Sequence, residues 1–391
     1  MAATDSRRLA QYLQTAARIH DGYRGPEPFA RYLTGYFRAN RQMGSRDRRM
    51  ATRLVYNVFR MGRAMANLPF HQRAVLADFL CGEDARFVNA FEPRLLPWVG
   101  GGLDARIAAA ADAYGFRLSD VFPFAAYLSP SLDREAFVTS HLIQPELFLR
   151  MRRGSEMRVK NLLTQADIAF REVGSHGLAL PSGTPVDQVK GLRGHYEVQD
   201  LSSQQTAAYM AAGPGESWWD ACAGSGGKSL LLLDREPRVR LLVSDTRLTI
   251  LRNLNERFDQ AGIRSYRQKI IDVAKSPETI LGDERFDGII VDAPCTGSGT
   301  WGRAPEMLAR FQPQRIDHFV SLQQDIVFQA AKFLRPGRPL VYITCSAFEA
   351  ENEGIVKYME ATCGLRAERI DMLHGYTHRA DTMFVARLVR V

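Results

Sequence analysis

The sequence predicts an α/β protein in which a doubly wound parallel sheet follows an all-helical domain and a small α/β unit. From about residue 217, short apolar strands alternate with helical segments, which is the pattern of βαβ units in a sheet covered on both faces. Before about residue 130, apolar residues recur instead at helical spacing. A chain of 391 residues has room for two or three domains. We therefore predict three domains, over residues 1–130, 131–200 and 201–391.

The predicted helical domain carries two apolar stripes with the three- and four-residue spacing of amphipathic helices. The stripes consist of Leu9, Tyr12, Leu13, Ala16 and Ile19, and then of Phe29, Tyr32, Leu33, Tyr36 and Phe37. Positive charge is concentrated here: residues 1–66 hold 13 arginines and four acids, a balance of +9, whereas the whole chain carries +8. Arginine is suited to bidentate phosphate contacts, although an arginine-rich composition can also come from a GC-rich genome.

One predicted helix, over residues 46–63, places five arginines within an arc of about 100°. These are Arg46, Arg49, Arg53, Arg60 and Arg63. Tyr56 lies inside the arc, and apolar residues occupy the opposite side. We predict an exposed face that binds a polyanion such as RNA. The alternative is a solvated amphipathic face without a partner.

The two later domains are predicted from shorter patterns. Residues 146–153 and 168–174 read as strands around a helix over 155–167, a small α/β unit that we also expect to bind RNA. In the third domain, five strands are predicted in order, with a last strand over 382–391. The five are SWWDAC, RLLVSD, SYRQKII, FDGIIVDAP and PLVYITCS. Helices are predicted to begin near Gly227, Arg247, Pro313 and Glu349.

Composition excludes several classes of protein. Hydrophobic residues make up 46% and charged residues 24% of the chain, as in ordinary globular domains. No stretch reaches the ~18 apolar residues of a membrane-spanning helix, and the N-terminus lacks the pattern of a secretion signal. Five cysteines without a C-x-x-C spacing predict reduced thiols and no metal site. We expect a cytoplasmic monomer that binds neither metal nor membrane.

A turn rich in small residues follows the first strand of the third domain and leads into a helix. Small residues let the backbone approach a ligand, and helix N-terminal amides favour a carboxylate or phosphate. Asp245 ends the next strand, 21 residues after Gly224, where a carboxylate can accept both ribose hydroxyls of a nucleoside. Asp272 follows the third strand and could reach the base. For both aspartates the alternative is a helix cap.

Two cysteines are predicted at the same edge of the sheet. Cys295 follows the fourth strand in the segment Asp292–Gly299, and Cys345 ends the fifth strand in Y-I-T-C-S. Ligands of open α/β sheets bind at the carboxyl ends of the strands, so both thiols are expected at the nucleoside site. A structural cysteine would more often lie in the middle of a strand.

Three motifs, D-A-C-A-G-S-G-G-K, D-A-P-C-T-G-S-G and Y-I-T-C-S with E-N-E, resemble those of the RNA cytosine-5 methyltransferases of the RsmB/Sun/NOL1 family. The resemblance covers about half the chain, from Tyr196 onward. Upstream, residues 44–49 and 54–60 resemble the NusB-like helical domain of the RsmB branch. Ser225 departs from the pattern, since the family usually has Pro there, and Thr296 and Ser298 exchange the usual Ser and Thr.

The resemblance implies a Rossmann-like class I methyltransferase fold and S-adenosylmethionine as the cofactor. It assigns nucleophilic attack on cytosine C6 to Cys345 and release of the methylated base to Cys295. DNA cytosine-5 enzymes use the other cysteine as nucleophile, so the pattern alone leaves both assignments open. Asp292 would hydrogen-bond the cytosine edge, and Lys228 would favour charged thiolate and carboxylate forms nearby. The residues assigned to the cofactor are Cys222, Ala223, Gly224, Ser225, Gly226, Gly227, Lys228, Asp245, Asp272 and Asp292.

The implied function is methyl transfer to C5 of a cytosine in RNA through a covalent bond between cysteine and C6. The RsmB-like N-terminus favours 16S ribosomal RNA, with tRNA as the alternative substrate. A second alternative is a non-catalytic RNA-binding assembly factor, although such proteins usually lose a nucleophile and both cysteines are present here. A DNA methyltransferase is disfavoured by the T-C cysteine and the basic N-terminus.

Overall fold

The computed structural model describes residues 3–82 and 84–391. Met1, Ala2 and Glu83, which belong to the predicted helical domain, lie outside the described residues. The chain divides into two compact units. The helical unit comprises the residues up to 126 together with 133–144 and 301–312, and the sheet unit comprises 127–132, 145–300 and 313–391. No helix in the described ranges combines the length and apolar character that crossing a membrane requires.

The described part of the chain forms helices α1 to α15. They are α1 Ala3–Gly22, α2 Phe29–Ala39, α3 Ser45–Arg60, α4 Phe70–Cys81, α5 Ala85–Phe91, α6 Leu103–Tyr114, α7 Arg134–Ser140, α8 Glu156–Gln165, α9 Leu201–Gln205, α10 Gly227–Arg235, α11 Leu248–Gln260, α12 Glu278–Leu281, α13 Pro305–Arg310, α14 Arg315–Ala331 and α15 Glu353–Thr362. Helices α1 to α7 and α13 belong to the helical unit, and the others to the sheet unit.

Eleven strands are described, and all of them lie in the sheet unit. They are β1 Leu147–Met151, β2 Arg171–Val173, β3 Gly177–Leu180, β4 Tyr196–Val198, β5 Ser217–Asp220, β6 Arg240–Asp245, β7 Arg267–Ile270, β8 Gly288–Asp292, β9 Pro339–Thr344, β10 Leu365–Leu373 and β11 Met383–Arg390. The first four form an antiparallel sheet in the order β2-β3-β1-β4. The other seven form a sheet in the order β10-β11-β9-β8-β5-β6-β7.

The large sheet confirms the predicted Rossmann-like architecture. Strands β7, β6, β5, β8 and β9 run parallel, and β11 and β10 are antiparallel to them. Trp218 and Trp219 are fully buried in two different apolar clusters. Because successive side chains of a strand point to opposite faces, both faces of the sheet are covered. Strand β10, which pairs along its length with β11, was not predicted because most of its residues are polar or exposed.

The predicted exposed arginine face is only partly present: Arg46, Arg49 and Arg63 are exposed, whereas Arg53 is half-buried and Arg60 is buried. Arg60 is 3% exposed and donates hydrogen bonds to the backbone oxygens of His141, Ile143 and Gly302. Arg53 forms ion pairs with Asp78 and Asp84. Arg63 donates to the Phe311 oxygen and stacks on the ring of Phe124. These acceptors are distant in sequence, so a helical projection could not reveal them.

Residues 301–312 complete the helical unit, although they follow Cys295 in sequence. Trp301 is buried against Phe122 and Phe311, and Glu306 Oε1 accepts a hydrogen bond from the Phe29 amide. The two compact units therefore differ from the three consecutive domains predicted over residues 1–130, 131–200 and 201–391. The RNA-binding roles that we assigned to the first two segments stay predictions.

Candidate active site

A cavity of about 560 Å³ lies at the carboxyl ends of strands β5, β6 and β8. Ten of the twelve residues that the sequence assigned to the site line this cavity. They are Cys222, Ala223, Gly224, Ser225, Gly227, Asp245, Asp272, Asp292, Cys295 and Cys345. Gly226, in the glycine turn, and Lys228, in the first turn of α10, do not line the cavity. The structure thus brings together residues from loops that are more than a hundred positions apart.

A larger cavity, of about 920 Å³, lies at the opposite edge of the same sheet. It is lined by the first residues of β5, β6 and β7, which are Ser217, Arg240 and Arg267. Ligands of open α/β sheets bind at the carboxyl ends of strands, so the smaller cavity is the candidate active site.

The glycine turn before α10 brings the backbone to the cavity wall. Gly226 has a φ of +83°, and a Cβ there would lie 2.7 Å from the Phe258 ring, so only glycine fits. Helix α10 begins at the next residue, Gly227, which lines the cavity. Ser225, where the family usually has Pro, accepts a hydrogen bond at its Oγ from Arg257 at 2.9 Å. The serine therefore ties the turn to α11 through a contact that proline cannot make.

Asp245 is a buried carboxylate between two loops of the cavity. Its Oδ2 accepts from the Gly224 amide at 3.2 Å and its Oδ1 from the Arg247 amide at 2.9 Å. The N-cap of α11 is Arg247, so Asp245 is not the cap of that helix. Asp272 is more exposed and pairs with Lys275 at 3.1 Å, and it does not cap a helix either, since α12 begins only at Glu278.

Lys228 and Asp292 form an ion pair beside the cavity. The Nζ of Lys228 lies 3.1 Å from Asp292 Oδ2 and donates to Ser203 Oγ at 2.8 Å. Lys228 is 7% exposed, whereas a third of the Asp292 side chain remains accessible. The buried ammonium thus fixes a carboxylate that has one side open to a ligand.

The two cysteines predicted for catalysis are in contact. Cys295 Sγ lies 3.3 Å from Cys345 Sγ, and both side chains are half-buried and line the cavity. The hydrogen bond to Cys345 and burial together raise the pKa of the Cys295 thiol well above its ordinary value. Cys295 therefore keeps its proton at neutral pH while Cys345 is its partner.

Glu351, for which no role was predicted from the sequence, lies beside the loops that follow both Cys295 and Cys345. Its buried carboxylate accepts hydrogen bonds from the Thr296 amide and hydroxyl, the Ser346 hydroxyl and the Gln323 amide. The signal available in the sequence was the E-N-E tripeptide after Y-I-T-C-S.

A family model of 16S rRNA methyltransferases, RsmB/F, matches residues 207–375. Those residues are an RsmB/F methyltransferase domain. The domain contains the glycine turn, both aspartates that end β6 and β8, and both cysteines.

Curated relatives resemble about half of the chain. A ribosomal RNA small subunit methyltransferase B of Xylella fastidiosa (strain Temecula1) is 36% identical over 177 residues, 45% of this chain and 41% of the relative. The protein of that name from Vibrio cholerae is 33% identical over 205 residues, 51% of this chain and 47% of the relative. The chain spans about half the length of the curated relatives it matches.

Solved structures share the fold of the RsmB/F domain and its neighbours. The crystal structure of PH0851 aligns with a TM-score of 0.73 at 19% identity, covering 100% of this chain and 99% of that one. NSun6 from Pyrococcus horikoshii, crystallised with SFG, aligns with a TM-score of 0.60 at 18% identity, covering 69% and 97%. At this identity the likeness concerns the fold.

The cofactor predicted for the RsmB/F domain, S-adenosylmethionine, is confirmed by the family match. The residues of the cavity fit this molecule. The backbone amides at the N-terminus of α10, which begins at Gly227, suit the carboxylate of S-adenosylmethionine. The Asp245 carboxylate can accept hydrogen bonds from the ribose hydroxyls. The cavity of about 560 Å³ is in the range usual for small-molecule sites.

Asp245→Ala is expected to weaken S-adenosylmethionine binding by about 1.5–3 kcal/mol, the scale of a hydrogen bond to a charged group. Titration calorimetry without RNA measures this loss. Asp272→Ala is the matched comparison, and a smaller loss is expected because Asp272 is more exposed. An Asp245→Ala affinity equal to that of the wild type would limit Asp245 to holding the Gly224 loop.

Asp220 introduces a pH dependence into the stability of the RsmB/F domain. Its side chain is fully buried, accepts from Ser229 Oγ at 2.6 Å, and burial raises its pKa to about 7. In the unfolded chain the pKa is about 4, so the folded state binds more protons between pH ~4 and ~7. The free energy of unfolding therefore falls as pH rises through that window.

Asp220→Asn is expected to remove this fall, which amounts to at most about 3 kcal/mol between pH 5 and 7.5. Urea unfolding followed by tryptophan fluorescence measures it, because Trp218 and Trp219 precede Asp220 in β5. Equal pH slopes for wild type and variant would show that Asp220 stays ionised throughout.

Proposed function

We propose that the protein transfers a methyl group from S-adenosylmethionine to C5 of a cytosine in 16S ribosomal RNA. The observation that carries the proposal is the contact of two thiols, 3.3 Å apart, in a cavity that also contains the nucleoside-type acceptor Asp245. Cytosine C5 is a poor nucleophile, and a thiolate that adds to C6 makes C5 enamine-like. Covalent catalysis of this kind divides one difficult step into easier ones.

In the proposed reaction, the Cys345 thiolate forms a bond to cytosine C6 while Asp292 hydrogen-bonds the cytosine edge. S-adenosylmethionine, when bound, supplies an electrophilic methyl group. Cys295, whose own proton has by then passed to solvent, accepts the proton that leaves C5. The electron pair of the C5–H bond re-forms the double bond between C5 and C6 as the bond between Cys345 Sγ and C6 breaks. The base gains a methyl group and loses the C5 proton to Cys295, the methyl donor leaves as S-adenosylhomocysteine, and Cys345 returns as a thiolate.

The protonation of Cys295 supports this division of roles. The hydrogen bond with Cys345 and burial raise the pKa of the Cys295 thiol, which makes Cys295 a poor initial nucleophile. When Cys345 is bonded to C6, that hydrogen bond is lost and the Cys295 proton is released more easily. Cys295 can then act as the base at C5. The two thiols therefore act in sequence.

Bisulfite sequencing of total RNA from a deletion strain tests the proposal. A single 16S cytosine is expected to lose its protection from conversion, and the purified protein should restore it on the deletion-strain RNA. Loss of protection in a tRNA would favour the alternative substrate. No change in any RNA would favour the non-catalytic assembly factor.

We further propose that the helical unit binds RNA through a basic corner, defined as Arg38, Arg41, Arg46 and Arg49. The corner spans the end of α2 and the start of α3, and all four side chains are exposed. Within the described ranges, none of the four forms an ion pair with an acid. The nearby Asp47 is bonded instead to Tyr12 and Arg8. Unneutralised arginines on a turn are suited to phosphate contacts.

Replacing the basic corner by glutamine is expected to flatten the salt dependence of RNA binding. Each lost phosphate contact lowers the log–log slope by roughly 0.7–0.9, so four contacts change it by about 3. The matched control replaces Arg7, Arg18, Arg24 and Arg31, which are exposed elsewhere in the helical unit and carry the same charge. Filter binding at several salt concentrations gives the slopes. Equal slopes for both quadruple variants would mean that the corner makes no specific contribution.

A further inference from the structure

Glu351 lies between the two loops that carry the proposed catalytic thiols. We define the Cys295 loop as residues 293–299 and the Cys345 loop as residues 345–348. Glu351 Oε1 accepts from the Thr296 amide at 2.9 Å and from Gln323 Nε2 at 3.1 Å. Its Oε2 accepts from the hydroxyls of Thr296 and Ser346. One carboxylate thus holds the residue after Cys295 and the residue after Cys345.

The loops are also joined by neutral contacts. The Gly299 amide donates to the Cys345 oxygen at 2.9 Å, and the Ala347 amide donates to Ser298 Oγ at 2.8 Å. These contacts join Gly299 to the Cys345 backbone and Ser298 to residue 347. Glu351 adds a link at Thr296 and Ser346, which are the immediate neighbours of the two cysteines.

Glu351 also brings negative charge to this region. It is fully buried, and its charge is among the causes that raise the pKa of the Cys295 thiol. Burial raises the pKa of Glu351 itself, whereas the hydrogen bonds from Ser346 and Thr296 oppose that rise. A buried acid is costly, and this one is compensated by donors from both loops and from α14.

We propose that Glu351 is a positioning residue whose carboxylate fixes the Cys295 loop to the Cys345 loop, so that Cys295 lies where it can take the C5 proton. This inference rests on the proposed function. Attack on C6 requires Cys345 alone. Release of the product also requires that the Cys295 sulfur is held at the correct position relative to the Cys345 sulfur. Loss of Glu351 therefore slows release more than attack.

The test compares Glu351→Ala, Glu351→Gln and the control Glu353→Ala. Glu353 is two residues away and bonds to Ser129, not to either cysteine loop. In Glu351→Ala, turnover is expected to fall by roughly 100-fold, the cost of a misplacement of about 1 Å, and the KM for RNA should fall with it because attack and methyl transfer are kept. A covalent RNA adduct should accumulate on denaturing gels, because attack continues while release fails.

Glu351→Gln is expected to restore most of the lost activity. The glutamine oxygen can replace Oε1, and the Thr296 and Ser346 hydroxyls can turn to accept from the glutamine NH₂. Turnover should recover to within about fivefold of the wild type, since the positions are kept. An adduct in Glu353→Ala, or no difference between the alanine and glutamine variants, would overturn the assignment. Unchanged S-adenosylmethionine affinity in each variant shows that the domain is folded.

A second measurement does not require methyl transfer. Alkylation of Cys295 by iodoacetamide, followed by peptide mass spectrometry without RNA, reports how tightly its loop is held. Glu351→Ala should alkylate at least about tenfold faster than the wild type, and Thr296→Val, which loses one donor to Glu351, should lie between them. Equal rates would overturn the proposal. If the wild type methylates no RNA, the proposed function fails while this result still decides the role of Glu351.

Discussion

Cys345→Ala is expected to abolish methyl transfer, with a loss of roughly 10³-fold or more, because no thiolate remains to bond to C6. Cys295→Ala should instead trap the enzyme on its RNA, because the C5 proton is not removed after methylation. Cys295 and Cys345 lie 3.3 Å apart, so the two variants differ in chemistry and little in position.

Denaturing gels with labelled RNA distinguish the two variants. A slowly migrating adduct is expected for Cys295→Ala and none for Cys345→Ala. Cys363→Ala is the control, since Cys363 does not line the cavity and should leave turnover unchanged. An adduct that forms on the Cys345 variant alone would reverse the two roles.

Gly299→Ala is expected to lower turnover by about 100-fold or more while S-adenosylmethionine affinity stays close to that of the wild type. A Cβ at residue 299 would lie 2.0 Å from the Thr382 oxygen and 3.1 Å from the Cys345 oxygen. Gly299 also donates to the Cys345 oxygen and accepts from the Thr382 amide. The methyl group must therefore push the Cys295 loop away from Thr382 and from Cys345.

Calorimetry and a methylation assay on the same preparation measure the two quantities. Gly35→Ala serves as the control, because a Cβ there meets no atom within 4 Å. If Gly299→Ala lost cofactor affinity as well as turnover, the result would indicate that the domain unfolds and not that the Cys295 loop is displaced locally. Full activity would show that the loop position tolerates a shift.

The site was largely predictable because its chemistry follows from strand position. A parallel sheet brings the carboxyl ends of its strands to one edge, so Asp245, Asp292 and Cys345 could be placed together from the alternating pattern alone. The glycine turn was predictable for a local reason, since Gly226 adopts a positive φ that other residues rarely adopt.

Glu351 and Arg60 show what the pattern could not supply. Each is a charged residue whose partners come from distant parts of the chain, Thr296 and Gln323 for one and Gly302 for the other. Periodicity places a residue on a face of its helix but does not identify what covers that face. Arg60 was therefore predicted to face solvent and is 3% exposed.

The sequence by itself determined the βα alternation, the strand ends that carry Asp245, Asp292, Cys295 and Cys345, and the turn at Gly224–Gly227. These depend on residues close together in the chain, and their physical basis is local: backbone conformation and the period of apolar side chains. The tertiary structure decided the 3.3 Å contact between the thiols, the burial of Glu351 and the packing of residues 301–312 in the helical unit. Those features depend on pairs of groups that meet only when distant segments of the chain pack together and exclude water. A local sequence pattern does not specify which distant segments pack together.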